Sequence, residues 1–214
     1  MENDSKTFWE DRWESERFEA VFACLEKYYQ WKDEVLDVFR CHGVKTVCDA
    51  ACGYGAYSLA FASNGFQVSG FDISPSAVEI TRRGLEKYGL TASLKVASIL
   101  STGYGDESFD GVIASSVLDH LTTGDAQKAL SELYRITSPG GLILVSFDTP
   151  EESDQDMEHE VLADGSLRYA EGTSRSGMIF HPYNREEISL LLAGKQVIYA
   201  HTNEKGEQIR ILKK

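Results

Sequence analysis

The sequence predicts an α/β fold: a doubly wound, mostly parallel sheet of seven strands with a terminal antiparallel strand. The first observation behind this prediction is that strand-like and helix-like segments alternate from Lys45 onward, which is typical of a parallel sheet with helices on both faces. The second is the short link at 203–206, with the sequence NEKG. It can join two strands only as an antiparallel hairpin, because a parallel crossover needs about a dozen residues.

The elements of the parallel part follow one another at short intervals. Five apolar segments are predicted as its strands: 46–49, 67–71, 93–96, 109–114 and 142–147. The first helix covers 56–63 and ends at Asn64-Gly65, and Ser74 caps the second helix with Pro75 at its first position. Thr122 or Thr123 caps the third helix, whose apolar residues recur on one face.

The two ends of the chain depart from this alternation. Asp164-Gly165 predicts a hairpin turn between strands at 160–163 and 166–170, within an insert at about 151–183. A capping box of Asn184 and Glu187 begins a helix over 185–193, and strands at 196–201 and 207–212 complete the sheet. The aromatic-rich residues 1–44 have a helical pattern. Two helices packed on the core or over a pocket would account for this pattern, and we predict an N-terminal helical lid over 1–44 and an α/β domain over 45–214.

Composition limits the functions that this chain can have. Its 214 residues are 42% hydrophobic, which is enough for one well-buried core. No apolar run approaches the roughly 20 residues of a membrane span, and the polar, acidic N-terminus does not resemble a signal peptide. A net charge of -13 disfavours bulk nucleic acid and anionic membranes as partners. Four cysteines without a CxxC pair predict reduced thiols in a cytoplasmic protein, with no metal site.

Polar residues at the ends of four predicted strands define the candidate site. Asp49, Asp72, Ser98 and Ser115 lie at or just past these ends, which meet at one crevice in an open α/β sheet. The run VCDAACGYG (47–55) adds a turn with two glycines, which lets the backbone approach a ligand closely.

The two acids indicate which ligand this crevice takes. Ser58 stands where the dinucleotide fingerprint G-x-G-x-x-G needs its third glycine, and a carboxylate at Asp49 makes a poor pyrophosphate cradle. Asp49 suits a ligand with a positive charge, and Asp72 can accept hydrogen bonds from both hydroxyls of a ribose. A molecule with a ribose at one end and an ammonium-bearing tail at the other has the form of S-adenosylmethionine.

Four segments together resemble the class I S-adenosylmethionine-dependent methyltransferases. VCDAACGYG resembles their motif I, [DE]-x-x-x-G-x-G, and FDISPSAVEITRR resembles the segment after their second strand. DESFDGVIASSVLDHL and RITSPGGLILVSF resemble their fourth strand with its loop and the turn into their fifth strand. The resemblance covers about 45–147 and implies a Rossmann-like fold, with S-adenosylmethionine as the cofactor.

The resemblance also assigns roles to residues of the crevice. It implies that Gly53 and Gly55 line the methionine moiety, that Asp72 binds the ribose, and that Ser115 offers its carbonyl to the amino group. Ser98 and Ile99 are expected to flank the adenine. Many members have an acid where Ser98 stands, and a hydroxyl makes only a weaker, neutral hydrogen bond. Three neighbours in the same loops complete the predicted cofactor site: Asp49, Ala51 and Ile73.

The acceptor side has one candidate for a general base, His120, with Asp119 beside it. The alternative interpretation of His120 is a structural histidine that contacts the cofactor or caps the following helix. His181 and Tyr183 are further candidates, since they lead into the last helix from the substrate side.

The predicted function is therefore methyl transfer from S-adenosylmethionine to a small-molecule acceptor. The segment ASSVLDHL contains no N/D-P-P-Y motif, which disfavours methylation of amino groups on nucleic-acid bases. A non-catalytic protein that binds S-adenosylmethionine is the alternative, because it would keep the same cofactor residues. An NAD-dependent oxidoreductase is less favoured, because the third glycine is missing and the Tyr-x-x-x-Lys match at 28–32 precedes the cofactor domain.

Overall fold

A computed structural model of the protein describes residues 2–15, 32–149, 156–204 and 206–214. The described residues form six α-helices: α1 (Glu2–Glu14), α2 (Lys32–Cys41), α3 (Ala56–Ser63), α4 (Pro75–Lys87), α5 (Thr123–Ile136) and α6 (Arg185–Leu191). They also form ten strands: β1 (Thr46–Ala50), β2 (Gln67–Asp72), β3 (Ser93–Val96), β4 (Phe109–Ala114), β5 (Thr137–Phe147), β6 (His159–Val161), β7 (Leu167–Tyr169), β8 (Ile179–Phe180), β9 (Gln196–Thr202) and β10 (Gln208–Lys213). A short 3-10 helix, Leu118–His120, follows β4.

Seven of these strands form the main sheet, in the order β3-β2-β1-β4-β5-β10-β9. β1 pairs in parallel with β2 and β4, whereas β10 is antiparallel to both β5 and β9. The predicted doubly wound, mostly parallel sheet with an antiparallel terminal strand is confirmed. β10 lies inside the sheet and β9 forms its edge. The strand order reverses at β1, so a crevice opens beyond the carboxyl ends of β1 and β4.

Both faces of the central strands are buried, as expected for a parallel sheet covered by helices. Val112 and Ile113 are neighbours in β4 and are fully buried, yet they belong to opposite layers of the core. Val112 packs in the layer that contains Leu130 and Leu133 of α5. Ile113 packs in the layer that contains Phe39 of α2. The sheet is therefore a rigid support for the loops at its carboxyl edge.

The predicted helix starts coincide with side-chain caps. Ser74 Oγ accepts a hydrogen bond from the Ala77 N–H at the start of α4, and Thr122 caps α5 in the same way. Asn184 and Glu187 form the complete capping box at the start of α6. Caps depend on residues a few positions apart, which is why these boundaries were predictable from sequence.

The start of β5 differs from its prediction. β5 begins at Thr137 instead of residue 142, and its pairing with β4 shifts register between Phe109 and Gly111. The extra residues of β5 bulge out of the ladder at this shift. A Cβ on Gly141 would lie 2.6 Å from the backbone oxygen of Asp110, so this glycine permits the two strands to approach.

The insert between β5 and α6 forms a second, three-stranded sheet. The hairpin predicted around Asp164-Gly165 is present, with β6 and β7 paired in antiparallel fashion. β8 adds a third strand, also antiparallel to β7, which the sequence did not predict. Two residues are too few to produce a periodic pattern.

The described N-terminal segments occupy different places. Val35, Leu36 and Phe39 of α2 are buried in the core, whereas α1 lies against α4 at the edge of the crevice. The prediction of helix between α1 and α2 falls on residues 16–31, outside the described residues. Cys48 and Cys52 are buried, and burial raises the pKa of both thiols, as expected for packing residues. Among the described helices, none combines the length and apolar character needed to cross a membrane.

The Asp164 carboxylate fastens the insert to α5. One oxygen accepts hydrogen bonds from the Thr123 N–H at 2.7 Å and the Thr123 hydroxyl at 3.1 Å, and the other accepts from the Ser166 N–H at 3.1 Å. Burial alone would raise the pKa of Asp164, but the hydrogen bonds from Thr123 and Ser166 outweigh it and lower the pKa to about 2.

We expect Asp164→Ala to lower the free energy of unfolding by about 1–2 kcal/mol near neutral pH, the typical effect of losing a helix cap. The folded pKa lies below the unfolded value of about 4. The Asp164 carboxylate therefore makes its full contribution to the free energy of unfolding above the unfolded pKa, and this contribution is lost as the pH falls toward 2. Urea unfolding at about pH 7 and about pH 3 measures the difference. Glu160→Ala in the same insert, where the side chain is 66% exposed, is the control. If Asp164→Ala lowered the free energy of unfolding equally at both pH values, the effect would not come from the ionised Asp164 carboxylate.

Candidate active site

A cavity of 1580 Å³ opens at the carboxyl edge of the sheet. Its wall contains His120 and these members of the predicted cofactor site: Asp49, Ala51, Gly53, Asp72, Ile73, Ser98, Ile99 and Ser115. Gly55 is not part of the wall. Residues from four separate loops thus meet at one cavity, as the strand ends predicted.

The loop after β1 contains three residues with positive φ angles. Ala51, Gly53 and Gly55 have positive φ angles of 58°, 52° and 81°. Such angles are strained for alanine, and strain of this kind concentrates where a backbone is shaped for a ligand. The Thr81 hydroxyl donates to the Gly53 carbonyl at 2.9 Å and fixes the loop against α4.

Asp72 joins the loop after β1 to the start of α4. Its Oδ2 accepts from the Gly53 N–H at 2.9 Å, and its Oδ1 accepts from the Ser74 N–H at 2.9 Å. The pKa of Asp72 is raised, because burial and the nearby Glu10 carboxylate outweigh the backbone hydrogen bonds from Ser74, Gly53 and Ile73, which lower it. The two carboxylate oxygens together have about four lone pairs, more than these donors use, so acceptor capacity remains for a further donor such as a ribose hydroxyl.

Asp49 and Gly55 have packing roles that the sequence did not reveal. Asp49 Oδ2 accepts from the Ser58 N–H at 2.8 Å and the Ser58 hydroxyl at 2.6 Å, so Asp49 stabilises the first turn of α3 from the cavity wall. Ser58, at the position of the missing third glycine, thus holds the motif acid. A Cβ on Gly55 would lie 2.8 Å from Thr81, so packing against α4 explains this glycine.

The far side of the cavity is formed by the loops after β3 and β4. The Ser98 hydroxyl accepts from the Leu100 N–H at 3.2 Å, which makes a local turn beside Ile99. The Ser115 hydroxyl lies 2.9 Å from that of Ser146 in β5. The predicted adenine-side residues Ser98 and Ile99 therefore lie in a local turn at the cavity wall.

Helix α1 forms part of the cavity wall. Glu10 accepts hydrogen bonds from the Ser74 hydroxyl at 2.5 Å and the Ser76 hydroxyl at 2.6 Å. Trp13 packs on the glycine loop so closely that a Cβ on Gly53 would lie 3.0 Å from its ring. Trp9 contacts the His120 ring edge-to-face, with centroids 4.8 Å apart. Helix α1 therefore contacts both the glycine loop after β1 and the His120 ring.

The sequence signals for these α1 contacts were weak. Trp9 and Trp13 are four residues apart and therefore share a helix face, but this spacing is also typical of ordinary core packing. No local signal connects Glu10 to serines that lie 64 and 66 residues along the chain.

His120 lies in the cavity wall, at the end of the 3-10 helix. Its Nδ1 is 3.3 Å from the Ile179 carbonyl, and its ring is 5.6 Å from that of Phe180. In the tautomer that donates from Nδ1, the lone pair is on Nε2. His181 and Tyr183 are buried and do not line the cavity. His181 Nδ1 is 3.1 Å from the Ser166 hydroxyl, so this histidine belongs to the packing of the insert.

Carboxylates are frequent around this side of the cavity. Within the described ranges, ligand atoms of Asp119, His120 and Asp148 lie within 4.8 Å of one another. Asp119 Oδ2 already accepts from the Asp148 N–H, and Asp148 Oδ1 already accepts from the Ser116 hydroxyl. We assign no metal to this group.

Comparison with known proteins supports the predicted family resemblance and the fold. A family model described as a methyltransferase domain matches residues 47–141. The chain is 32% identical over 124 residues to the demethylmenaquinone methyltransferase of Thermus thermophilus, which is 56% of either protein. It is 32% identical over 101 residues to the ubiquinone biosynthesis O-methyltransferase of Methylocella silvestris, covering 47% of this chain and 38% of that protein.

A solved structure extends the agreement in fold. The S-adenosylmethionine-dependent methyltransferase of Clostridium acetobutylicum superposes with a TM-score of 0.67 at 13% identity, covering 87% of this chain and 91% of that one. The chain thus contains a methyltransferase-domain match over residues 47–141, and this match and the curated relatives support the predicted class I S-adenosylmethionine-dependent methyltransferase family with its cofactor, S-adenosylmethionine. The chain spans about half the length of the curated relatives that it matches, 56% of the first.

We expect Glu10→Ala to loosen α1. Burial opposes ionisation of Glu10, but the hydrogen bonds from Ser74 and Ser76 prevail and lower its pKa, so they act on the charged form. Loss of one such hydrogen bond to a charged group corresponds to about tenfold more frequent opening of α1. Hydrogen exchange of residues 2–14 measures it, with Glu79→Ala as the control because Glu79 lies on α4 and pairs with Arg82. Unchanged exchange in Glu10→Ala would show that Glu10 does not hold α1 in place.

Proposed function

We propose that this protein transfers a methyl group from S-adenosylmethionine to a small-molecule acceptor. The proposal rests on one observation. A single cavity is lined both by the glycine loop, whose Gly53 N–H donates to Asp72, and by His120. Two relatives are named as methyltransferases of demethylmenaquinone and of ubiquinone biosynthesis, which supports a small organic acceptor. The net charge of -13 opposes a nucleic-acid backbone as substrate.

The cavity residues fit this cofactor. Asp72 would bind the ribose hydroxyls through its remaining lone pairs, and Gly53 and Asp49 would lie along the methionine moiety. Ser98, Ile99, Ser115, Ala51 and Ile73 would complete the contacts. Among the described residues, seven carboxylates line the cavity, which suits a positively charged sulfonium: Glu34, Asp49, Asp72, Asp125, Asp148, Glu204 and Glu207. Gly55 would act indirectly, by allowing the loop to pack on Thr81.

The acceptor would enter between α1 and the insert. Phe8 and Trp9 of α1 pack with Met178 and Phe180 of the insert in one apolar cluster beside His120. An apolar, planar molecule with one nucleophilic atom matches such a wall. In this proposal, α1 is the lid and the insert forms the substrate pocket.

The cofactor supplies an activated methyl group, so the protein's own task is alignment of the acceptor and exclusion of water. His120 would be the catalytic base. The hydrogen bond from Nδ1 to the Ile179 carbonyl keeps the Nε2 lone pair available to take a proton from the acceptor. A non-catalytic binder of S-adenosylmethionine would not need a base in the same cavity.

Calorimetry tests cofactor recognition first. We expect binding of S-adenosylmethionine and S-adenosylhomocysteine and none of NAD. Asp72→Ala should weaken S-adenosylmethionine binding by about 1.5–3 kcal/mol, because it removes hydrogen bonds to a charged group. Asp37→Ala is the control, since that side chain is 70% exposed and pairs with Arg40. Binding of NAD alone would refute the proposal, and an unchanged Kd in Asp72→Ala would reduce Asp72 to a loop anchor.

Incubation of metabolite extracts with labelled S-adenosylmethionine identifies the acceptor, and the rate with that acceptor tests His120. We expect His120→Ala to lower kcat about 100-fold or more, the scale of general base catalysis, without changing cofactor binding. The control is His42→Ala, which replaces an exposed histidine. A rate unaffected by His120→Ala across the pH range would eliminate the base. No labelled product from any acceptor would favour the non-catalytic binder.

A further inference from the structure

Asp119 is a fully buried acid beside the proposed base. Its side chain has 0% exposure, although the next residue, His120, lines the cavity. Both belong to the 3-10 helix Leu118–His120, which directs neighbouring side chains to different sides. Asp119 therefore lies behind His120 as seen from the cavity, where neither cofactor nor acceptor reaches it.

The hydrogen bonds of Asp119 do not explain why this residue is an acid. Its Oδ2 accepts from the Asp148 N–H at 2.8 Å, and its backbone oxygen accepts from the His181 N–H at 2.7 Å. These bonds connect the segments after β4, β5 and β8, but a neutral asparagine would make them equally well. Among the described residues, Oδ1 has no hydrogen-bond partner. An unpaired carboxylate oxygen in the interior is unfavourable unless its charge has another use.

The charge of Asp119 faces His120. A carboxylate oxygen of Asp119, a ring nitrogen of His120 and a carboxylate oxygen of Asp148 lie within 4.8 Å of one another. In the described part of the chain, no Lys or Arg forms an ion pair with Asp119. Burial raises the pKa of Asp119 to about 6, His120 acts against this rise, and Asp148 adds to it. The attraction is mutual, so the carboxylate stabilises the imidazolium as the imidazolium stabilises it.

In the described part of the chain, the other titratable groups that act on this pair or lie beside it are acids, a tyrosine and a histidine. Asp148 and Glu207 are carboxylates, and burial and then Asp148 raise the pKa of Glu207. Tyr183 lies close enough that Asp119 contributes to the rise of its pKa, after burial. His181, from the segment after β8, is engaged by Ser166 and Glu187. His120 is thus the group that can provide Asp119 with a compensating charge.

We propose that Asp119 is a positioning residue for His120, whose buried carboxylate compensates the positive charge that His120 acquires during methyl transfer. This inference rests on the proposed function. As the acceptor atom bonds to the methyl carbon, the electron pair of the carbon–sulfur bond stays on sulfur. The acceptor's proton passes to Nε2 of His120, and the imidazolium forms next to Asp119. His120 returns the proton to solvent after the products leave.

The test compares the pH titration of the His120 ring by NMR in the wild-type protein and in Asp119→Asn, both with S-adenosylhomocysteine and EDTA. Asparagine keeps the acceptor for the Asp148 N–H and removes the charge. We expect the midpoint of the His120 ring resonances to fall by about one pH unit, a tenfold loss of proton affinity. Asp106→Asn, whose side chain is 77% exposed and paired with Arg135, should leave the midpoint unchanged. An unchanged midpoint in Asp119→Asn would overturn the proposal.

A wild-type measurement keeps the proposal testable if Asp119→Asn does not fold. The ¹³Cγ resonance of Asp119 should change over the pH range in which the His120 ring titrates, because the two charges interact. A resonance that stays constant through that range would overturn the proposal. The outcome is separable from the proposed function, because neither titration requires an acceptor. Coupled titration without methyl transfer to any acceptor would refute the function and leave the charge pair intact.

Once an acceptor is known, kinetics add a second readout. Asp119→Asn should lower kcat by about 10- to 100-fold near neutral pH and move the acidic limb of the pH profile to lower pH. The KM for S-adenosylmethionine should stay the same, because Asp119 does not line the cavity. A purely structural role would instead raise KM and leave the pH profile in place, and this result would contradict the proposal.

Discussion

The site depends on one buried carboxylate, that of Asp72. It receives the Gly53 N–H from the loop after β1 and the Ser74 N–H from the start of α4, and thereby joins two loops that the sheet alone would leave independent. Such a buried anion is tolerable because each oxygen has a backbone donor and the N-terminus of α4 lies beside it. The same geometry leaves acceptor capacity on the carboxylate for a ligand, which the proposed role of Asp72 in ribose binding requires.

The position of α1 follows from this arrangement. Glu10 binds the Ser74 and Ser76 hydroxyls at the start of the helix that Asp72 orients, so the outer contact depends on the inner one. Trp13 and Trp9 of the same helix contact the glycine loop and the His120 ring. One short helix therefore connects two parts of the cavity wall.

Much of the fold was predictable because its signals are local. The cap at Ser74 and the capping box of Asn184 and Glu187 involve residues a few positions apart, and a single sequence displays them. The alternation of strands and helices predicted the sheet for the same reason. The start of β5 was misplaced because Thr137 joins the strand only through pairing with Phe109 of β4, across a register shift. Such pairing depends on a partner strand that local propensity does not describe.

The sequence by itself determined the type of sheet, the edge where the site lies, and the acids and the Gly53 turn that line the cavity, because strand ends and glycine turns are recognisable from neighbouring residues. Only the tertiary structure decided how these residues are used. Gly55 accommodates Thr81, Asp49 holds Ser58, and Asp119 lies buried behind the proposed base. The proposed cofactor site is built from consecutive segments, so its residues could be predicted from the sequence. The acceptor side brings together α1, the loop after β4 and the insert, and their contacts exist only after the chain has folded.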